Sequence, residues 1–77
     1  MAELPRISGK DAIKVFVALG FVQVRQKGSH VVLRRADRGC VIPLHKELAV
    51  GTLRSAIRQA GITPQEFIDA YLLQKNK

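Results

Sequence analysis

The order of segments in this 77-residue chain predicts an α+β fold in two layers, a three-stranded antiparallel sheet with helices on one face. Three observations carry that expectation. Apolar residues recur at helical spacing up to Gly20, and at Phe21 the period drops abruptly from about 3.6 to about 2. Two runs rich in β-branched residues, 21–27 and 31–35, are joined through Gly28-Ser29, which reads as a hairpin with Gly at the first turn position. In the C-terminal part the helical period returns, with two sets of start and stop signals.

Each element follows from local chemistry. Residues 1–7 read as a short lead-in. Ser8 is placed as a helix N-cap, with Asp11 supplying a carboxylate to the first turn. Ala12, Ile13, Phe16, Val17 and Gly20 then form the buried stripe, and Gly20 stops the helix. After the hairpin, Asp37-Arg38-Gly39 supplies a turn and Cys40 to Leu44 a short third strand, where Pro43, lacking an N–H, suits an edge or a strand end. His45 to Gly51 reads as a loop. Thr52 caps a second helix with Leu53, Ala56, Ile57 and Ala60 on one face, and Gly61 ends it. Thr63-Pro64-Gln65-Glu66 starts a third, with a capping Thr, Pro at the first position and Glu at the third. Phe67, Ile68, Tyr71 and Leu72 give that helix its apolar face, and residues 74–77 read as a frayed end. No linker or repeat divides the chain, so residues 1–77 read as a single domain.

A two-residue turn also dictates the hairpin register. Lys27 falls opposite His30, Gln26 opposite Val31, Arg25 opposite Val32, Val24 opposite Leu33 and Gln23 opposite Arg34. One face then collects Val22, Val24, Val31 and Leu33 for the core. The other collects Gln23, Arg25, Lys27, His30 and Arg34, with Val32 as its apolar member. A slip by one residue would exchange the two sets and bury the charges.

Composition narrows the function classes. Thirteen Lys and Arg against six Asp and Glu give a formal charge of +7, which favours polyanionic partners, nucleic acid above all, and would equally steer an acidic protein. With no Trp and one Tyr, a base-stacking platform is thin. The single Cys40 excludes an intrachain disulfide and a Cys-based metal cluster, and it reads as a small buried hydrophobe. No run approaches the about 18 apolar residues that span a bilayer, and Glu3, Pro5 and Arg6 interrupt any leader-like core, so a cytoplasmic protein away from the membrane is expected.

His30 and His45 lie far apart with no Cys partner, so no metal site is expected; nor is any cofactor, since no phosphate-binding Gly-rich loop occurs. Asp11, Glu66 and Asp69 are accounted for by helix positions, which leaves no paired-acid site. What remains is His30, an outward imidazole at the lip of a basic hairpin. RNA carries its own nucleophile, the 2′-hydroxyl. A nuclease therefore needs one group that moves a proton near neutral pH, plus cations for the anionic transition state. His30 suits the first task, and Lys27, Arg25 and Arg34 the second. A turn-flanking surface His with no catalytic role fits the same residues. His45 is either a loop His bonded to a backbone carbonyl or a second proton-transfer or phosphate-positioning group. Arg54 and Arg58, four apart on one helix face, match two adjacent phosphates or a merely solvated face.

At this point the residues resemble a family. Lys27-Gly28-Ser29-His30, then Val41-Ile42-Pro43-Leu44-His45, then Gly51-Thr52-Leu53-Arg54-Ser55-Ala56-Ile57-Arg58-Gln59-Ala60-Gly61-Ile62, then Glu66-Phe67, are similar in collinear order to the HicA (YcfA-like) toxins. Ser8-Gly9-Lys10-Asp11 resembles that family's Ser-Gly-Lys-Glu start. The resemblance implies an mRNA-cleaving endoribonuclease of a toxin–antitoxin pair, a fold like a double-stranded-RNA-binding domain, His30 as the catalytic residue, and a HicB-type antitoxin that covers the site. RNA contacts are then expected from Lys27, Ser29, Arg25, Arg34, His45, Lys46, Arg54 and Arg58. Many relatives carry a second His directly after the first, where this chain has Val31, so no relay between adjacent imidazoles is available. The alternatives are a non-catalytic RNA-binding module using the same basic face, and a basic protein that docks on an acidic partner.

Overall fold

A computed structural model describes residues 3–75, in the order α1 (Gly9–Ala18), β1 (Val22–Lys27), β2 (His30–Arg35), β3 (Arg38–Pro43), α2 (Val50–Ala60) and α3 (Pro64–Lys75). The strands form one antiparallel sheet in the order β1-β2-β3, and the helices cover one face of it, the two-layer α+β arrangement expected.

Where caps are written into the sequence, helix ends fall as expected. The Ser8 hydroxyl accepts from the Asp11 N–H at 3.1 Å. Gly20, at φ +98°, follows α1 in a Schellman arrangement: its N–H donates to Val17 O and the Phe21 N–H to Phe16 O, both at 3.0 Å. Gly61, at φ +76°, ends α2 in the same way. Thr63 and Glu66 form a reciprocal capping box, Thr63 N–H to Glu66 Oε1 at 2.8 Å and Glu66 N–H to Thr63 Oγ1 at 3.1 Å. Thr52 is not a cap. The second helix starts three residues earlier, at Val50, with Ala49 at the N-cap and no side-chain acceptor.

The core is built around three aromatic rings. Phe16 of α1 meets Phe21 edge-on at 5.4 Å and Phe67 of α3 at 5.3 Å. Val31, Leu33 and Cys40 face it from the sheet, and Leu53, Ala56, Ile57 and Ala60 from α2, as expected, and Ile42 joins them. Val15 rather than Val17 completes the buried stripe of α1, and Val17 is half exposed. On α3, Ala70 packs inward with Phe67 while Leu72 is exposed. The lead-in is no loose arm, since Leu4 and Ile7 are buried and the Leu48 N–H donates to Ile7 O at 2.8 Å. Gln74 is helical, and its side-chain amide holds Lys14 O at 2.8 Å instead of fraying; residues 76–77 of the expected frayed end lie outside the described residues.

The hairpin departs from its expected register at one point. Lys27↔His30, Gln26↔Val31 and Arg25↔Val32 pair as derived, but a β-bulge at Val24 leaves that residue unpaired and sets Gln23 opposite Leu33 and Val22 opposite Arg34. Val22 therefore moves to the outer face with Arg34. It is 62% exposed and Val24 52%, so neither joins the core. The next turn is also one step earlier than expected: Ala36-Asp37 forms it, and Arg38 and Gly39 already belong to β3.

Candidate nucleic-acid interface

Directly opposite residues of an antiparallel sheet share a face, so the observed register gives the outer surface row by row. The first row is Lys27, His30 and Pro43, the second Arg25, Val32 and Val41, the third Val22, Arg34 and Gly39. His30, Lys27, Arg25 and Arg34 are exposed on this face, away from the helices. Lys27 and His30 flank the turn as a cross-strand pair, with Cβ atoms roughly 5 Å apart by sheet geometry. An open depression lined by Arg25, Lys27, Gly28, Ser29, His30 and Val32 lies over this end of the hairpin.

The turn is built for this placement. Gly28 sits at φ +59°, a left-handed value that glycine adopts without steric cost, so the two strands close tightly and His30 begins β2. The tip is then tied to the rest of the molecule. The Leu44 N–H donates to Ser29 O at 2.6 Å, and the Gly9 N–H donates to His45 O at 2.9 Å. Gly9 packs so close to the Pro43–Leu44 backbone that a Cβ there would collide with the Pro43 carbonyl. Three segments thus meet at the His30 end of the sheet. In the sequence Gly9 stands only as part of a start motif; a glycine inside a first helical turn is the one local sign of this close approach.

His45 and Lys46 follow β3 at this same end, both exposed. The His45 carbonyl is the group engaged, as acceptor from Gly9. Arg54 and Arg58 are not brought to this face. They are exposed on α2, in the helix layer across the sheet.

The basic residues of the hairpin region divide into two groups. Arg25, Lys27 and Arg34 line the outer face, whereas Arg35 and Arg38 turn toward the helices. Arg35 donates to Leu19 O at 2.7 Å and lies 4.8 Å over the Phe21 ring. The Arg38 guanidinium lies against Gly61 at the end of α2. Each cation sits at a helix C-terminus, where the helix dipole favours it. Charge alone does not separate the two groups in the sequence, because it does not reveal which side a strand residue faces.

Cys40 is buried, and desolvation pushes its thiol up to about 11, so it is a packing group rather than a nucleophile. Among the described residues, no three His, Cys, Asp or Glu side chains gather into a set that could hold a metal ion, and no helix is long and apolar enough to cross a membrane. A family model described as the HicA toxin of bacterial toxin–antitoxin systems matches residues 9–62, well over half of the chain. No curated protein matches the chain.

Proposed function

Because the chain belongs to the HicA toxin family of bacterial toxin–antitoxin pairs, we propose that it is a cytoplasmic endoribonuclease that cleaves mRNA on the outer face of its sheet. The observation that carries the reading is the exposed His30 at the hairpin lip, paired with Lys27 and sharing its face with Arg25 and Arg34. His30 takes the proton of an RNA 2′-hydroxyl, whose oxygen attacks the adjacent phosphorus. Lys27, with Arg25 and Arg34, stabilises the charge that builds on the phosphoryl oxygens. As the 2′-oxygen bonds to phosphorus the P–O5′ bond breaks, and the departing 5′-oxygen takes a proton from water, so the products are a 2′,3′-cyclic phosphate and a 5′-hydroxyl; the chemistry needs no metal. Ser29, His45 and Lys46 border the same end and position the strand. Arg54 and Arg58 would meet only an RNA long enough to pass around the sheet. A HicB-type antitoxin neutralises the toxin by covering the outer face.

Labelled RNA incubated with the wild-type protein and with His30→Ala tests the reading. His30 is exposed, so its truncation opens no core cavity, and the variant should keep its melting temperature while losing at least about a hundredfold in cleavage rate, within the range usual for general acid–base groups. Cleavage should persist in excess EDTA. A folded His30→Ala protein that cuts at the wild-type rate would remove His30 from the mechanism. RNA binding without cleavage by the wild-type chain would establish the non-catalytic module instead.

A further inference from the structure

The outer face is not uniformly cationic. Val22 is 62% exposed and Val41 42%, and the half-buried Val32 lies beside Val41 in the middle row. Simple alternation along β1 would have turned Val22 and Val24 toward the core; the bulge at Val24 is what brings Val22 out beside Arg34. A sheet that re-aims an apolar residue into water beside its functional residues forgoes burial it had available. An exposed apolar patch of this kind marks a surface that another molecule covers.

We infer that Val22 and Val41, on the strands to either side of the half-buried Val32, are the apolar contacts of a docking surface on this face for an acidic partner protein, and that RNA does not use them. This rests on the proposal above that the antitoxin covers the outer face. Two features select the occupant. Bases that leave the stack need flat π surfaces, and the registered rows of this face hold no aromatic residue; the phenylalanines of the core are buried and Tyr71 is on α3. Branched valines instead interlock with aliphatic side chains. Arg25 and Arg34 stand in the same rows as these valines, so the face offers apolar contact and charge pairing side by side, as protein–protein interfaces do. A +7 chain steers an acidic partner onto these cations. One face thus serves two ligands through different residues. The cations meet both the phosphates and the partner's carboxylates, while Val22 and Val41 meet the partner alone.

The double variant Val22→Thr/Val41→Thr keeps branched side chains in both strands and removes the apolar contact. Measured against the cognate antitoxin purified from the co-expressed complex, its dissociation constant should rise at least tenfold. Its rate of RNA cleavage in the free state should stay within twofold of wild type. An unchanged dissociation constant overturns the inference, and so does a parallel loss of cleavage, which would make the valines part of the RNA surface. In the wild-type chain, the methyl signals of Val22 and Val41 should shift on adding antitoxin and stay in place on adding a 2′-O-methyl RNA that cannot be cleaved. The reverse pattern also overturns it. If the wild-type protein cuts no RNA, the nuclease reading fails, while the dissociation constant and the methyl shifts still decide the role of the valines.

Discussion

Ala36 holds the first position of the β2–β3 turn at φ +55°, the one non-glycine residue with a positive φ among those described. For an L-residue that conformation costs roughly 1–2 kcal/mol; glycine removes that cost but loses about 0.4–1 kcal/mol to the greater freedom of its unfolded chain. Ala36→Gly should therefore stabilise the protein by about 0.5 kcal/mol or somewhat more, seen as a melting temperature higher by roughly 2–5 °C. A lower melting temperature would mean that the turn relaxes in solution. The two turns show what a sequence conveys at this scale. Gly28 announces its own turn, because only glycine takes that geometry freely, and His30 followed from it. Ala36 announces nothing, and the nearby Asp37 and Gly39 drew the expected turn away from its true place.

Among the elements, helix ends were legible wherever a side chain or a glycine makes the terminal hydrogen bonds: Ser8, Gly20, Gly61, and Thr63 with Glu66. The start of α2 was not, because Ala49 has no side-chain acceptor to leave a mark. Ala49 already has the extended backbone of an N-cap, φ −61° and ψ 141°. Ala49→Ser should therefore satisfy a free N–H of the first turn and add about 1 kcal/mol of stability in urea unfolding. No gain would indicate that another group already serves those amides. The bulge was illegible for a different reason. The alternation of Val22, Gln23, Val24 and Arg25 reads the same whether or not one residue is skipped, and the skip is decided by the ladder with β2. The valine patch on the outer face was hidden along with it.

For the whole molecule, the +7 charge indicated a polyanionic partner without saying which cations meet it. The fold divides them. Replacing Arg25, Lys27 or Arg34 by Ala should lower RNA affinity and reduce the slope of log affinity against log salt by about one for each phosphate no longer neutralised. Arg35→Ala should leave that slope unchanged and lower the melting temperature, since its guanidinium holds the end of α1 and the Phe21 ring. Equal effects on the slope from Arg35 and Arg34 would refute the division. The seam at Gly9 has a consequence of another kind. Its amide holds His45, the neighbouring Leu44 amide holds Ser29, and no side chain fits between the helix start and the Pro43 carbonyl. Hairpin tips commonly fray first, yet this one is held by a main-chain hydrogen bond from the residue after β3, and that segment is held in turn by the start of α1. Under heat or denaturant the lip should therefore come apart together with the architecture and not before it.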